Sequence, residues 1–409
     1  MKTVLENIGL LATPEGSAAR RGHEQGEISF LKNAWVAWED SVITAVGSGA
    51  VPAADRRIDA HGRLVTPGLI DPHTHLVFGG WRQHELGMKL HGVSYLEILA
   101  AGGGILSTVE RTRAAAKEEL IEKAEKELHK MLCRGITTCE CKSGYGLSLA
   151  GELKMLEAVQ ELKARQPVEL VSTFMAAHAL PKEYANDREG YLSLIIEEML
   201  PQAAERGLAE FCDVFCETGV FTPEECRRVL LAGQKLGLRS KCHSDEIDPI
   251  GGTEMAGEIG AVSCEHLIRC KQSGIEAMAK GGTVACCLPA TSFYLGSSFA
   301  PARQMIEAGV PVAFGSDFNP GSCPCSNLPL AMNIGCYSYR MTPEECLTAV
   351  TLNAAAALCR ADSLGSVEPG KQADLLVWDA EDLNYIFYRF GDDLVETVIK
   401  RGEIAAQNS

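Results

Sequence analysis

The sequence predicts an α/β fold in which a (β/α)8 TIM barrel is joined to a composite β-sandwich domain formed from both chain termini. The 409 residues suit a barrel of roughly 250 residues plus a smaller module. Apolar strand-like runs alternate with amphipathic helical stretches through the middle of the chain, and short β segments fill both ends. We therefore predict a β-sandwich-like domain from residues 1–65 plus 357–409 and a barrel from residues 66–356.

The terminal segments are predicted to be rich in β-strands because Gly and Pro interrupt short runs of strand-forming residues. The first 65 residues contain EISFLKNAWVAWED and SVITAVGSG and lack a long amphipathic helix. The last 50 residues contain KQADLLVWDA and DLVETVIKRGE, which have the same character. We expect the two ends to combine into one discontinuous domain.

Eight apolar runs in the middle of the chain predict the strands of the barrel. They are LVTPGLIDPHTH, GITTCECKSGYG, VELVSTFMAAHA, AEFCDVFCETG, LGLRSKCHSDE, AVSCEHL, GGTVACCLPATS and GVPVAFGSDFNPGS. Helical periodicity is clearest in KEELIEKAEKELHKMLCRG and GELKMLEAVQELKARQ, where apolar residues recur at spacings of three and four. Eight such repeats favour a closed barrel over an open sheet.

Composition and charge indicate a small-molecule partner. The formal net charge of −16 disfavours binding to nucleic acid or to an anionic membrane, because both require a basic face. We find neither a signal peptide nor an apolar run near the roughly 20 residues that span a bilayer. The sixteen cysteines include no C-x-x-C pair, and we expect most of them to be small buried residues in a reducing, cytoplasmic compartment.

Polar residues end several of the predicted strands, where barrel enzymes place their chemistry. His73 and His75 end the first run, and residues two apart in a strand point to the same face. Further polar residues follow or end later runs: Tyr145, His178, His243, Glu246, His266 and Asp317. We therefore expect these side chains to meet at one mouth of the barrel.

The pair His73 and His75, with His243 and Asp317 as third and fourth ligands, predicts a catalytic metal site. A metal lowers the pKa of its bound water and polarises a carbonyl, which suits hydrolytic attack on an amide-like carbon. Asp317 is the predicted base that receives the proton and returns it to the leaving nitrogen. Glu246 and His266 are predicted to orient the water or assist proton transfer, the alternative for each being a structural hydrogen bond.

The motifs GLIDPHTH, HSDE, GSDFNPGS and EPGKQADLLVWD resemble those of the metal-dependent amidohydrolase superfamily, and the resemblance runs nearly end to end. Members of that superfamily carry a barrel beside a composite β-sandwich. Within it, the stretches DPHTHLVFGGWRQHEL, GVSYLEILAAGGGILSTVERTR, CKSGYGL, FMAAHALP and SDFNPGS resemble the imidazolonepropionase family.

This resemblance implies hydrolysis of 4-imidazolone-5-propanoate to N-formimidoyl-L-glutamate in L-histidine degradation, in the cytoplasm. It also implies one divalent or trivalent ion per subunit, zinc or iron, and a homodimer. Carried over by motif, the metal ligands are His73, His75, His243 and Asp317. The substrate-binding residues implied in the same way are Arg82, Tyr145, His178, Glu246, Asn319, Gly321 and Ser322.

Three of these residues suit the implied substrate. The propanoate tail is anionic, and Arg82 follows the histidine pair in the first barrel loop, where a guanidinium can fork onto a carboxylate. Without the resemblance, a solvated surface arginine would be the better interpretation. Tyr145 and His178 are expected to hold the ring and its carbonyl oxygen.

Two rival functions stay open at this point. A deaminase or another cyclic amidohydrolase of the same superfamily would use the same metal ligands, and only the loops around Arg82, Tyr145 and His178 favour ring opening. A noncatalytic assembly protein on the same barrel is the second rival, although such a protein should have lost ligands. The fourth run ends in CETG and not in a lysine that could be carbamylated, which predicts one metal ion and not two.

Overall fold

The computed structural model describes residues 1–93 and 103–408 and contains sixteen strands. In chain order they are β1 (Lys2–Thr13), β2 (Ser29–Glu39), β3 (Val42–Ser48), β4 (Arg56–Asp59), β5 (Leu64–Pro67), β6 (Leu69–Asp71), β7 (Ile136–Lys142), β8 (Glu169–Ala177), β9 (Phe211–Cys216), β10 (Arg239–Ser244), β11 (Ser263–His266), β12 (Val284–Cys287), β13 (Val312–Phe314), β14 (Leu375–Trp378), β15 (Val395–Lys400) and β16 (Glu403–Gln407).

The strands β6 to β13 form a barrel of eight parallel strands in sequential order, as the eight apolar runs predicted. The barrel closes between its first and last strands just beyond their carboxyl ends. There Thr74 and Phe318 form a parallel bridge, and the backbone N–H of Asp317 donates to His73 O at 3.0 Å. The predicted TIM-barrel architecture is confirmed.

The strands from both chain ends form a second sheet, in the order β16-β15-β14-β5-β1-β2-β3, with β4 paired to β1. This terminal sheet has a hydrophobic core of its own, in which Leu5, Val36, Trp38 and Leu375 are buried. The predicted union of the two termini is therefore confirmed. The exact boundaries of the two domains remain a prediction.

The first predicted run, LVTPGLIDPHTH, contributes one strand to each sheet. Its first half is β5, which pairs with β1 and β14 of the terminal sheet, and its second half is β6 of the barrel. Gly68 separates the two strands, and a Cβ at this position would overlap the side chain of Thr137. The predicted boundary between residues 65 and 66 thus falls inside β5.

Helices surround the barrel, and the two clearest sequence predictions are the helices Lys117–Cys133 and Leu149–Arg165. The remaining α-helices in the described part of the chain are Leu86–Leu90, Gly104–Ala114, Arg188–Leu194, Leu200–Glu205, Pro223–Lys235, Gly252–Glu258, Gln272–Gly281, Pro289–Tyr294, Ala302–Glu307, Leu328–Tyr339, Pro343–Ala349, Leu352–Ala357 and Leu383–Tyr388. A π-helical turn covers Ile195–Met199, and 3-10 turns cover Gly22–Gly26, Gln83–Glu85 and Lys182–Tyr184. Thr222 caps the helix Pro223–Lys235 in a capping box with Glu225, which satisfies amides at its start.

All sixteen cysteines lie in the described part of the chain and are free thiols. Eleven are buried and five are half-buried, which agrees with their predicted packing as small apolar residues. Among the described residues, we find no helix with the length and apolar character needed to cross a membrane.

We expect Gly68→Ala to destabilise the protein, because the added methyl group meets Thr137 in a well-packed core. Overpacking of this kind costs about 1–3 kcal/mol of unfolding free energy. Urea unfolding followed by tryptophan fluorescence measures the change. Gly87→Ala is the matched control, since its added Cβ meets nothing within 4 Å, and equal stability of the two variants would contradict the prediction.

Candidate active site

The chain turns directly after β6 to bring His73 and His75 into the barrel mouth. Both side chains are buried, and their ring centroids lie 5.4 Å apart. Nε2 of His75 lies 3.3 Å from Nε2 of His243, which comes from β10. Nε2 of His73 is buried and has no hydrogen-bond partner among the described residues. The three imidazoles therefore direct ring nitrogens toward one point.

Asp317 completes this donor set from the loop after β13. Its Oδ1 lies 3.4 Å from Nε2 of His73 and 3.7 Å from Nε2 of His75. A tetrahedral zinc ion with ligands about 2.1 Å away holds its ligand atoms about 3.4 Å apart. The separations between the donor atoms fit an ion of this size. These residues can therefore hold a metal ion.

A carboxylate stands behind two of the histidines. Nδ1 of His73 lies 2.5 Å from Oε2 of Glu265, and Nδ1 of His243 lies 3.0 Å from Oδ2 of Asp213. A carboxylate at Nδ1 fixes the proton there and leaves Nε2 with a free lone pair. The hydrogen bond to Glu265 therefore orients the His73 ring for ligation, and the Asp213 carboxylate lies in contact with the His243 ring.

These carboxylates belong to a fully buried ion network beneath the histidines. Its members, none with any exposed surface, are Glu140, Lys142, Asp213, Lys241 and Glu265. Nζ of Lys142 contacts Oδ2 of Asp213 at 2.7 Å and Oε1 of Glu140 at 2.9 Å. Nζ of Lys241 contacts Oε1 of Glu140 at 3.0 Å and Oε1 of Glu265 at 3.4 Å.

The charge balance of this network favours a cation above it. Burial by itself lowers the pKa of Lys142, but Asp213 and the two glutamates outweigh it and raise that pKa. Three carboxylates and two ammonium groups, none with any exposed surface, leave one excess negative charge. A metal ion in the histidine cluster would compensate that charge.

Glu246 and His266 lie together on one side of the donor set. Nε2 of His266 is 3.8 Å from Oε2 of Glu246, and its ring centroid is 5.2 Å from that of His243. Burial raises the pKa of Glu246 to about 7 and lowers the pKa of His266 to about 4. Near neutral pH, Glu246 can therefore both take up and release a proton, while His266 is uncharged.

Several residues of this site have strained backbones. Asp317 has φ 53°, His266 φ 72° and Asp245 φ 53°, all in the left-handed region that residues other than glycine seldom adopt. Strain of this kind persists only where the surroundings enforce it, and it concentrates at functional sites. The side chain of Thr291 holds Asp317 in place by donating to its Oδ2 at 2.7 Å.

Tyr145 and His178 line the same mouth. The ring of His178 stacks on that of His75 with centroids 4.9 Å apart, and Tyr145 lies 5.2 Å from His178. Nδ1 of His178 lies 3.0 Å from the carbonyl oxygen of Gly144, an acceptor, so the proton must sit on Nδ1. Burial lowers the pKa of His178 to about 3, which leaves its Nε2 as a hydrogen-bond acceptor.

Arg82 and Gly321 are brought together across the mouth. A Cβ at Gly321 would overlap the Arg82 guanidinium, so this cation rests directly on the loop after β13. Nε of Arg82 is buried without a hydrogen-bond partner in the described part of the chain. Lys89, which sequence reasoning missed, donates from Nζ to Gly321 O at 2.9 Å and places a second cation here.

The side chain of Asn319 organises the loop that carries Gly321 and Ser322. Its Oδ1 accepts the backbone N–H groups of both residues at 2.8 Å. Its Nδ2 donates to Asp317 O at 2.7 Å and to Ser322 Oγ at 2.9 Å. Asn319 therefore links the loop to Asp317, and its predicted contact with substrate stays a prediction.

Sequence reasoning also missed Glu217, which directly follows β9 in the CETG stretch. Its carboxylate accepts the backbone N–H groups of Thr218, Ile247 and Asp248 at 2.8–2.9 Å. This fixes the segment that immediately follows Glu246. The stretch GVSYLEILAAGGGILSTVERTR cannot be judged throughout, because its residues 94–102 lie outside the described part of the chain.

The fold and this donor set define the class of protein. Residues 64–405 match the family model described as the Amidohydrolase family. The structure of atrazine chlorohydrolase from Arthrobacter aurescens TC1 complexed with zinc superposes with a TM-score of 0.75 at 19% identity, covering 99% of this chain and 95% of the other. That likeness concerns the fold.

Two relatives named imidazolonepropionase match much more closely. The protein from Alkaliphilus oremlandii is 49% identical over 411 residues, covering 98% of this chain and 97% of the relative. The protein from Fusobacterium nucleatum is 50% identical over 406 residues, covering 98% of each chain. The chain belongs to the imidazolonepropionase family of amidohydrolases.

We expect Glu265→Gln to weaken metal binding, because a neutral amide orients His73 less firmly and removes one buried charge. Loss of a carboxylate that hydrogen-bonds to a ligating histidine typically lowers metal affinity by about tenfold to a hundredfold, and we expect a loss in that range here. Competition with a chromophoric chelator measures the affinity for zinc. Glu258→Gln, which alters only an exposed ion pair with Arg227, is the control. Unchanged affinity in Glu265→Gln would show that the carboxylate does not support the metal site.

Proposed function

We propose that this protein hydrolyses the cyclic amide C–N bond of 4-imidazolone-5-propanoate and releases N-formimidoyl-L-glutamate, a step of L-histidine degradation. The observation that carries this proposal is that the family's motif residues converge. Three histidines and an aspartate meet at one barrel mouth, with Arg82 held beside them. The near-full-length identity to imidazolonepropionases supports the same substrate.

The proposed metal ligands are His73, His75, His243 and Asp317, which would hold one ion, zinc or iron. Three imidazole nitrogens and a carboxylate oxygen suit either metal. When bound, such an ion supplies Lewis acidity that activates water and polarises a carbonyl. The absence of a second ion is supported by Glu217, whose carboxylate is already engaged by three backbone amides.

Asp317 is the proposed base. Its Oδ2 is held by Thr291, while its Oδ1 faces the histidine nitrogens and would accept a proton from the attacking water. The water oxygen forms a bond to the ring carbonyl carbon, and the bond from that carbon to the ring nitrogen breaks. The proton held by Asp317 passes to the leaving nitrogen. Glu246, with its pKa of about 7, and the neighbouring His266 assist this transfer.

Substrate binding is proposed to use both sides of the mouth. The Arg82 guanidinium would pair with the propanoate carboxylate, with Gly321 and Ser322 supplying the adjoining loop. Tyr145 and His178 would contact the ring. Because Nε2 of His178 is an acceptor, it suits a ring N–H, and the carbonyl oxygen needs a different donor.

The structure and the relatives disfavour the two alternative functions on different grounds. A noncatalytic assembly protein is disfavoured because all four proposed ligands are present and converge. A deaminase would use the same ligands, and the identity to imidazolonepropionases favours ring opening over that reaction. A homodimer and a cytoplasmic location remain predictions from the family.

The first test is the loss of ultraviolet absorbance of freshly prepared 4-imidazolone-5-propanoate with metal-loaded protein. We expect rapid loss of the ring chromophore and formation of N-formimidoyl-L-glutamate with the unaltered protein only. The His73→Ala variant and buffer alone should both show the slow spontaneous rate, because the variant lacks a proposed ligand. No loss above the buffer rate with metal bound would reject this substrate and return attention to nucleobases and other cyclic amides.

Gly321→Ala tests the proposed carboxylate site. The added methyl group displaces the Arg82 guanidinium, so we expect KM to rise roughly tenfold, about the value of one charged hydrogen bond, with a smaller change in kcat. Arg82→Ala should change KM in the same direction and by at least as much. An unchanged KM in Gly321→Ala would mean that substrate does not use the guanidinium as placed here.

A further inference from the structure

Glu152 lies beneath the loop that carries Tyr145 and is fully buried. It belongs to the first turn of the helix Leu149–Arg165, directly after that loop. Its carboxylate accepts the backbone N–H groups of Gly144 at 3.0 Å, Gly146 at 2.8 Å and Leu147 at 2.7 Å. One side chain thus accepts hydrogen bonds from backbone N–H groups on both sides of Tyr145.

The carbonyl groups of the same loop are held by other side chains. Arg113 donates from Nε to Gly146 O at 2.6 Å and from Nη2 to Leu147 O at 2.9 Å. The carbonyl of Gly144 accepts the Nδ1 proton of His178 at 3.0 Å. An anion therefore binds the amides of this loop, while a guanidinium and an imidazole bind its carbonyls.

These contacts impose a conformation that the loop would not hold alone. Leu147 has φ 45°, a left-handed value that costs free energy for a leucine, and Gly144 has φ 105°. Burial raises the pKa of Glu152, whereas the three backbone N–H groups oppose that rise. Burying a carboxylate costs free energy, and the three backbone N–H groups offset part of that cost.

We propose that Glu152 is a positioning residue that fixes Tyr145 and His178 as one wall of the substrate pocket and thereby sets the affinity for the substrate ring. It acts through two connections. It holds the backbone on either side of Tyr145, and it fixes the Gly144 carbonyl that orients His178. This inference rests on the proposed function, because affinity is defined for the imidazolone substrate.

The test compares steady-state kinetics of Glu152→Gln with those of Glu161→Gln. Glu161 is a half-buried glutamate of the same helix that pairs with Lys117. The glutamine side chain keeps one acceptor oxygen but turns a donor toward backbone N–H groups. We expect KM to rise roughly tenfold to a hundredfold, the equivalent of one or two charged hydrogen bonds, with a much smaller change in kcat. Glu161→Gln should match the unaltered protein.

A double-variant cycle separates positioning from general stability. If Glu152 acts in part through Tyr145, the rise in KM caused by Glu152→Gln should be smaller in a Tyr145→Phe background, and the connection through His178 accounts for the remainder. Bound metal and the urea unfolding midpoint are measured for every variant. Unchanged KM in folded, metal-loaded Glu152→Gln, or full additivity with Tyr145→Phe, would overturn the inference.

Arg113→Gln serves if Glu152→Gln does not fold, because it loosens the same loop from its carbonyl side. It should raise KM with little change in kcat, and an unchanged KM would count against the inference. Failure of the proposed function itself looks different: the unaltered protein would then not consume 4-imidazolone-5-propanoate at all.

Discussion

The buried ion network under the histidines is the constraint on which the active site depends. It spans β7, β9, β10 and β11, so half of the barrel strands meet in one set of charges. Its carboxylate Glu265 accepts a hydrogen bond from Nδ1 of His73, and its carboxylate Asp213 lies 3.0 Å from Nδ1 of His243, so the Nε2 atoms of both rings face the mouth. The barrel interior is thus organised around charge neutralisation as well as apolar packing.

A second layer of control lies in the loops above the strands. Glu152, Glu217 and Asn319 each accept several backbone N–H groups and fix the segments next to Tyr145, Glu246 and Gly321, respectively. Loops usually carry mobile, solvated backbone, yet here side-chain oxygens replace water as hydrogen-bond partners. The arrangement fixes the backbone beside active-site residues that lie on loops.

The strands and the convergence of the four proposed metal ligands could be predicted from the sequence because both follow from local patterns. Apolar runs mark strands, and histidines two apart at a strand end share a face. The ion network was not predicted, since period-two alternation in CECK cannot tell a barrel interior from a helix-facing side. Glu152 was missed for a related reason: within GELKMLEAVQELKARQ it reads as one more charge on an exposed helix face. The role of Gly68 in dividing one apolar run between two sheets was not predicted, because it depends on contact with Thr137, which is distant in sequence.

The position of β5 in the terminal sheet affects how the chain is made. One edge of β5 pairs with β1 early in the chain, but its other edge pairs with β14, more than 300 residues later. While the barrel is being synthesised, that edge remains an unpaired row of N–H and C=O groups, a surface on which other chains can add. The pairing of β14 with β5 therefore covers an edge on which another chain could otherwise add.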